Sequence, residues 1–163
     1  MEATTKTAPI RELVHLSRIL IPVDFSPPSQ KALKYGLRLA RLFNAELILL
    51  HVSEKMAVAG PRDIPPRLDY SDDHAIVAQK NLQALIASSK AAGSPKIQST
   101  IRTGLAAHEI VEAAKELDVD LIVIATHGRT GWKRFCIGST TEQVVRTAPC
   151  PVFVVREKER DFS

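Results

Sequence analysis

The stretch from Ile124 to Val144, IATHGRTGWKRFCIGSTTEQV, combines glycines, positive charges and hydroxyl groups in a pattern that could bind an anion. It leaves an apolar run and ends in residues typical of the start of a helix. Gly128 and Gly138 lack a Cβ atom and would let a ligand approach the backbone closely. The first turn of a helix offers unpaired N–H groups and a partial positive charge, which favour phosphate. The pattern therefore predicts a phosphate-binding loop.

A helix start is predicted at the end of this stretch. Ser139 and Glu142 have the spacing of a capping box, in which each side chain satisfies a backbone N–H of the first turn. Capping boxes begin many helices that bind nothing, so Ser139 alone favours a structural interpretation. Gly128, Gly138 and the basic loop between them shift the balance toward phosphate binding.

Three basic residues in the stretch, Arg129, Lys133 and Arg134, form the only local excess of positive charge without nearby acids. They could neutralise phosphate, although long basic side chains on a loop are more often simply solvated, so they are secondary candidates. His127 is better explained by local hydrogen bonding than by catalysis. Trp132 could anchor the loop or close over a ligand, and the sequence leaves both open.

Five apolar segments alternate with four amphipathic helices along the chain, which is typical of a doubly wound α/β fold. The segments are near-continuous apolar runs, as expected for parallel strands that are buried on both faces. We therefore predict a five-stranded parallel sheet in the order 3-2-1-4-5, with helices on both faces and right-handed crossovers. The predicted strands are Arg18–Val23, Leu47–Val52, Ile97–Arg102, Asp120–Thr126 and Pro151–Val155.

The helices are predicted from apolar residues at helical spacing and from residues that favour helix ends. Ser26 caps the first helix and Pro27 suits its first turn. Ser71 is the predicted cap of the second helix, Gly104 precedes the third, and the fourth starts at Ser139. The predicted inner faces of the first three are Ala32, Leu33, Gly36, Leu37, Ala40 and Phe43; Ala75, Ala78, Leu82, Leu85 and Ile86; and Ala107, Ile110, Val111, Ala114 and Leu117.

In a parallel sheet of this order, ligands bind beyond the carboxyl ends of strands 1 and 4, where the strand order reverses. Asp24 follows strand 1, and the glycine-rich stretch follows strand 4. Asp24 could contact a ligand or hold the turn before the helix. Because Ser26 is the better cap, the ligand role is slightly favoured. His51, near the end of strand 2, is most simply a partly buried structural histidine.

Residues 53–71 contain prolines and a glycine that break regular structure, and they are predicted to form a long loop. Such loops are often lids or partner surfaces, but a tolerated surface insertion explains the composition equally well. The chain is interpreted as an N-terminal extension (1–16), one domain (17–156) and a C-terminal tail (157–163). The last strand would be a sheet edge, which a second copy of the chain or the N-terminal extension could cover.

The composition is that of a globular protein, with 163 residues, 45% of them hydrophobic and 25% charged, and a formal net charge of +4. No apolar stretch is long enough to cross a bilayer, and the first residues lack the apolar core of a signal peptide. The only cysteines, Cys136 and Cys150, give no disulfide framework, so a cytoplasmic location is expected. Acids and bases interleave along most of the chain, and neither a nucleic acid nor a membrane is an expected partner.

Several common nucleotide and metal motifs are absent from the sequence. There is no G-x-x-x-x-G-K-[ST] loop, and no G-x-G-x-x-G follows the first strand. The cysteines and histidines do not have the spacing of metal ligands. No pairing of a nucleophile with a base stands out, so efficient catalysis is not expected.

Residues 18–156 resemble the universal stress proteins. The resemblance rests on ILIPVDFSPPSQKALKYG, LILLHV, IVIATHGRTGW and GSTTEQVVRTAPCPVFVV, which occur in the order and spacing of that family. The family's nucleotide-binding signature, G-x2-G-x9-G-[ST], is matched by Gly128, Gly138 and Ser139. Ala125 stands where the signature has its first glycine.

The resemblance implies a homodimer that binds ATP, with a divalent ion, expected to be magnesium, beside the phosphates. It implies no catalytic residue and no protein ligand to a metal. The implied site residues fall into three groups. Those around the base and ribose are Pro22, Val23, Asp24 and Val52, and those that lie along the nucleotide are Ile124 and Ala125. Those at the phosphates are Gly128, Arg129, Gly138, Ser139 and Thr140.

These observations predict an ATP-binding stress-response protein that acts as a nucleotide-responsive regulator of an unidentified protein partner. The loop Thr126–Gly138 would order around the triphosphate. Two alternatives are open. One is a dimeric interaction protein of the same fold, in which Ala125 marks a lost site. The other is a slow ATP hydrolase that depends on Asp24 or Gly138. Autophosphorylation at the Ser or Thr residues of the loop is also left open.

Overall fold

A computed structural model of the chain describes residues 15–54, 57–58, 67–68, 72–90, 95–126, 137–158 and 160. Strands and helices alternate along most of this length, as the apolar pattern predicts. The elements are β1 (Arg18–Pro22), α1 (Pro27–Phe43), β2 (Glu46–Ser53), β3 (Ala57–Val58), β4 (Arg67–Leu68), α2 (Asp72–Ser89), β5 (Ile97–Thr103), α3 (Ala106–Glu116), β6 (Leu121–Ala125), α4 (Ser139–Thr147) and β7 (Val152–Val155).

Five of the strands form one parallel sheet in the order β5-β2-β1-β6-β7. In terms of the predicted strands this order is 3-2-1-4-5, so the predicted fold class is confirmed. β1 lies at the centre of the sheet and pairs with β2 on one side and with β6 on the other. The strand order therefore reverses between β1 and β6, at the point where a ligand is expected.

The prediction of a structureless loop over residues 53–71 is wrong in part. β2 extends to Ser53, and β3 and β4 form a two-stranded antiparallel ladder of their own. Each of these strands has only two residues, which is shorter than any run that hydrophobic alternation can reveal. The loop was predicted from the prolines of this segment. Prolines mark where regular structure stops, but they do not reveal a short ladder between two such positions.

The core has two layers, one on each face of the sheet. On one face, α1 and Leu82 of α2 pack over the side chains of Ile19, Ile21 and Leu49. On the other face, α3 and Val144 of α4 pack over the alternate side chains of the same strands. Successive side chains of a strand point to opposite faces, so the continuous apolar runs supply both layers.

Helix α1 begins as predicted, with Ser26 as its N-cap and prolines at its first two positions. The predicted inner face is buried or half-buried, but the helix also buries Ser29 and Tyr35, which an apolar pattern does not reveal. The prediction that Ala75 lies on the inner face of α2 is wrong, because Ala75 is exposed. It lies in the first turn of α2, and the contacts that bury this helix begin with Ala78.

None of the helices in the described ranges has the length and apolar character needed to cross a membrane.

Candidate functional site

β1 and β6 pair only at their beginnings, and we refer to the gap between their carboxyl ends as the crevice. The ladder joins Ile19 to Leu121 and Leu20 to Ile122, although both strands continue further. The N–H of Val23 donates to the carbonyl of Leu50 in β2, at 2.8 Å, so the backbone of Pro22 faces β6. Proline has no N–H group and cannot donate the next bond of that ladder.

The start of α4 is fastened to the end of β6 by two hydrogen bonds. The hydroxyl of Thr141 donates to the carbonyl of Ala125 at 2.7 Å, and the N–H of Gly138 donates to the carbonyl of Thr126 at 2.8 Å. Thr141 and Thr126 are both buried. The backbone of Ala125 faces the gap that β1 has left, so the Thr141 hydroxyl satisfies a carbonyl that a longer β1–β6 ladder would have used.

The predicted capping box at the start of α4 is wrong. Gly138, not Ser139, is the N-cap, and no side chain caps the helix. Ser139 is therefore the first helical residue, and Glu142 lies one position too late to reach back to the cap. The Glu142 carboxylate instead accepts from Arg146, at 2.9 Å, one turn further along.

The missing cap leaves the first turn of α4 chemically open. The N–H groups of Ser139, Thr140 and Thr141 precede the first intrahelical hydrogen bond, which Glu142 donates to Gly138 at 2.9 Å. The side chain of Ser139 is exposed. Aligned N–H groups and the helix dipole attract an anion, and an exposed hydroxyl can add a further donor.

Asp24 holds the turn between β1 and α1. One oxygen of its carboxylate, Oδ1, accepts hydrogen bonds from the N–H of Ser26 at 3.1 Å and from its hydroxyl at 2.5 Å. Between them, Phe25 has a φ of 65°, the left-handed region that residues other than glycine rarely adopt. The structural role that the sequence left open for Asp24 is therefore present, and its half-buried carboxylate lies at the crevice.

His51 has the structural role that the sequence predicts. The imidazole is half-buried, its Nδ1 lies 2.8 Å from the carbonyl of Val23, and its ring centroid lies 4.7 Å from that of Phe25. A carbonyl only accepts hydrogen bonds, so Nδ1 must carry a proton. His51 thereby fixes the backbone of β1 where the strand enters the turn at Asp24.

Side-chain direction separates the predicted site residues into two groups. Val23 and Ala125 belong to the core layer beneath α1, whereas Val52 and Ile124 pack in the layer of α3 and α4. The start of α4 lies on this second face. The methyl group of Ala125 is 6% exposed and points into the first core layer, away from α4. Its φ is not in the left-handed region, so its backbone conformation does not require glycine.

Several predicted residues lie outside the described residues. They are the signature residues Gly128 and Arg129, and also His127, Trp132, Lys133, Arg134 and Cys136. The described site residues lie at the carboxyl ends of β1, β2 and β6 and at the start of α4, and the hydrogen bonds from Gly138 and Thr141 join α4 to the end of β6. Sequence reasoning did not identify the roles of Thr126 and Thr141 in fastening α4, because their hydroxyl side chains contribute to no apolar pattern.

Among the described residues, Cys150 is not a candidate reactive group. Cys150 is a free thiol at the start of β7, and burial, with the nearby Asp120 carboxylate, raises the pKa of its thiol. A raised pKa lowers the thiolate fraction and hence the reactivity. Within the described ranges, His, Cys, Asp and Glu side chains form no group of three that could hold a metal ion.

Two solved structures with this fold contain an adenine nucleotide. A universal stress protein of Archaeoglobus fulgidus in complex with dAMP is 20% identical, with a TM-score of 0.60, and the match covers 87% of this chain and 98% of that one. A universal stress protein in complex with cAMP is 21% identical, with a TM-score of 0.62 and coverage of 89% and 100%. At these identities the likeness shows a shared fold.

Closer relatives match over most of their length. A universal stress protein of Methanocaldococcus jannaschii is 32% identical over 146 residues, which cover 88% of this chain and 84% of the relative. The structure of universal stress protein UspA from Lactobacillus plantarum is 31% identical, with a TM-score of 0.70 and coverage of 88% and 99%. The model of the universal stress protein family matches residues 15–156. The chain therefore belongs to the universal stress protein family.

Proposed function

We propose that this protein binds ATP in the crevice between β1 and β6, with the phosphates on the first turn of α4. The observation that carries the proposal is the uncapped start of α4, which lies at the strand-order reversal and is fastened to the end of β6. Helix starts without a side-chain cap still need partners for their N–H groups. A phosphate group supplies negatively charged acceptors at that position.

The phosphates would accept hydrogen bonds from the N–H groups of Ser139 and Thr140 and from the hydroxyl of Ser139. Gly138 precedes them and adds no side chain to the approach. Gly128 and Arg129 complete the proposed phosphate site, in line with the family signature. A bound magnesium ion would neutralise part of the triphosphate charge, and the phosphates themselves would supply its main ligands.

The base and ribose would lie over the strand ends Pro22 to Asp24 and Val52. Ala125 does not argue against this placement, because its methyl group is buried on the opposite face from α4. The two same-fold structures that hold dAMP and cAMP support the choice of an adenine nucleotide. Each of these two nucleotides carries one phosphate group. The first turn of α4 has enough N–H groups to donate to more than one phosphate group.

We propose further that nucleotide occupancy, rather than turnover, is the useful property of the site. Among the described residues, the donors at the start of α4 are backbone N–H groups and a hydroxyl, which bind phosphate without activating water. The Asp24 carboxylate already accepts two hydrogen bonds from Ser26. A regulator whose loop Thr126–Gly138 responds to ATP in the cytoplasm fits these contacts better than an efficient hydrolase.

Titration of nucleotide-stripped protein with MgATP tests this proposal. We expect saturable binding of one ATP per chain by calorimetry, with a Kd below about 1 mM, which corresponds to about −4.1 kcal/mol. Adenosine should bind at least about tenfold more weakly, because it lacks the groups that meet α4. The variant Gly138→Val should lose ATP binding, since its backbone (φ −63°, ψ 151°) accepts valine and only the approach of the ligand is blocked.

Thermal unfolding of the Gly138→Val variant is the control for this titration. A variant that melts like the wild type but no longer binds supports the phosphate site. Absence of ATP binding to the wild-type protein in two independent assays would overturn the proposal and favour the dimeric interaction protein of the same fold. Steady release of phosphate that is lost in Asp24→Asn would favour the slow hydrolase instead.

We also propose that the protein is a homodimer joined through β7. β7 is an edge of the described sheet. The carbonyls of Pro151 and Val155 accept bonds from β6, at 3.0 and 2.9 Å, so the backbone groups of Val152 and Val154 face outward. Unpaired edges of apolar sequence favour pairing with another strand. The same strand of a second copy, in antiparallel orientation, would form hydrogen bonds with the outward N–H and carbonyl groups of Val152 and Val154.

The dimer is tested by removing one outward donor. Val154→Pro deletes the N–H that faces away from β6, and it should shift the mass measured by light scattering from two chains toward one. Val154→Ala is the matched control, because it removes a similar part of the side chain but keeps the N–H. We expect Val154→Ala to remain dimeric. A wild-type protein that is monomeric at high concentration, or a dimeric Val154→Pro variant, would rule out this interface.

A further inference from the structure

Two residues that follow β7 contact α1. The carbonyl of Glu157 accepts a hydrogen bond from Nζ of Lys31 at 2.8 Å, and the carbonyl of Arg160 accepts one from the hydroxyl of Tyr35. Lys31 and Tyr35 are four residues apart in α1, so they lie on the same side of the helix. The segment after β7 therefore turns back and runs along the first turns of α1. We refer to residues 156–158 and 160 as the C-terminal strap.

The contact with Tyr35 is a buried one. Tyr35 is 3% exposed, and its ring centroid lies 6.0 Å from that of Phe153 in β7. A buried hydroxyl without a partner destabilises a protein, so the hydrogen bond to the carbonyl of Arg160 contributes to the stability of Tyr35 in this position. In return the strap fixes Tyr35 between α1 and β7. The packing of α1 against this edge of the sheet is thus completed by residues outside the sheet.

The strap lies at the end of the family match and beyond it. The match to the family model ends at residue 156. The sequence of the strap, with its alternating charges, predicts a solvated tail and gives no sign of docking. Both of these acceptors are backbone carbonyls, so these two contacts do not require particular side chains in the strap.

We propose that the C-terminal strap holds the first two turns of α1 in place and, through them, the Asp24–Ser26 turn at the edge of the crevice. Hydrogen bonds tie the first turn of α1 to this turn. The N–H of Gln30 donates to the carbonyl of Ser26 at 3.0 Å, and the N–H of Ser29 donates to the hydroxyl of Ser26 at 3.4 Å. Lys31 follows directly in the second turn and Tyr35 lies in the third, so the strap and the Asp24–Ser26 turn are attached to neighbouring turns of one helix.

This arrangement links the strap to the nucleotide, a consequence that rests on the proposed function. If ATP binds beside the Asp24–Ser26 turn, ligand and strap both stabilise the start of α1. ATP binding must then favour docking of the strap by the same factor by which the docked strap favours ATP binding, because coupling between two binding equilibria is reciprocal. ATP should therefore tighten the docked strap, and loss of the strap should weaken ATP by the same ratio.

Amide hydrogen exchange of the nucleotide-free protein tests the strap itself. A full-length protein is compared with a variant that stops after Arg156. We expect the amides of Ser29, Gln30 and the next turn of α1 to exchange about tenfold faster in the truncated variant, because local opening of this turn becomes easier. Amides in β2 should be unchanged.

Two point variants keep the test decisive if the truncated protein does not fold. Tyr35→Phe removes only the hydroxyl and keeps the ring against Phe153, and Lys31→Met keeps the aliphatic stem. Lys34→Met, at an exposed position on the same helix, is the matched control. We expect faster exchange at Ser29 and Gln30 in the first two variants and no change in the third. Equal exchange in all four proteins would overturn the proposal.

The link to the nucleotide is measured separately, by repeating the exchange with saturating MgATP and the titration with Tyr35→Phe. We expect slower exchange of strap amides with ATP and a matching loss of ATP affinity in the variant. If wild-type protein binds no ATP, the proposed function fails while the nucleotide-free exchange still decides the strap. If ATP binds but leaves the exchange of the strap unchanged, the strap holds α1 without coupling, and the second half of the proposal is wrong.

Discussion

Replacement of Thr141 by valine should lower the free energy of unfolding by about 2 kcal/mol and weaken MgATP binding about tenfold. Valine has nearly the shape of threonine but cannot donate to the carbonyl of Ala125, at 2.7 Å in the wild type. That carbonyl faces the gap between β1 and β6, and without a partner it would be buried and unpaired. The first turn of α4 would lose one of its two bonds to β6, and with it the fixed position of its N–H groups.

The same helix offers a matched control for this variant. Thr147, at the other end of α4, is exposed and donates to the carbonyl of Gln143 at 2.8 Å. Thr147→Val changes the same chemical group but leaves the crevice intact, so we expect less than about 0.5 kcal/mol of change and unaltered ATP affinity. Urea unfolding and calorimetry of the two variants measure both effects. Equal unfolding midpoints and equal affinities would show that the bond from Thr141 does not position α4.

The second large effect is expected where α1 touches β1. Gly36 is buried against Ile21, and a Cβ atom at Gly36 would lie 2.2 Å from Cδ1 and 3.2 Å from Cγ1 of that side chain. Carbon atoms in contact are normally about 3.5–4.0 Å apart. Alanine favours a helix by about 1 kcal/mol over glycine, but overpacking a core costs about 1–3 kcal/mol. The difference leaves Gly36→Ala destabilising by up to about 2 kcal/mol, and we expect Gly36→Val to be destabilising by about 3 kcal/mol or more.

A double-mutant cycle tests the cause of this loss. Ile21→Val removes the Cδ1 atom that the new methyl would strike and by itself costs about 1 kcal/mol. In combination with Gly36→Ala, it should cost less than the sum of the single changes by at least about 1 kcal/mol. Urea unfolding of the four proteins at one fixed protein concentration gives the coupling energy. Additive losses would mean that the side chain of Ile21 does not limit the volume at Gly36.

Much of the fold follows from the sequence because its physical signals are local and repeated. The apolar runs around Ile19–Ile21, Leu47–Leu50 and Ile122–Ile124 are too continuous for a half-exposed strand. The helical spacing between them requires crossovers, and parallel strands follow from that. The start of α1 could also be predicted, because Ser26 and the prolines act within one turn of the backbone.

The errors have a physical pattern of their own. The capping box was predicted from the spacing of Ser139 and Glu142, but whether a side chain caps a helix depends on where the backbone enters it. Here the N–H of Gly138 donates a hydrogen bond to the carbonyl of Thr126, and the helix begins one residue earlier than the capping box predicts. Gly138 is therefore the N-cap. Ala75 was assigned to the inner face of α2 by spacing, yet the layer beneath that helix begins one turn later.

What the sequence by itself determined is the family, the order of the elements and the edge of the sheet at which a ligand would lie. Only the tertiary structure decided that β1 and β6 part after Leu20, that the Ala125 methyl faces away from α4, and that Tyr35 takes its acceptor from Arg160. These facts depend on contacts between residues that are up to 125 positions apart in the chain. Periodicity and capping record only what a residue does within its own helix or strand, whereas such contacts arise when separate elements pack together.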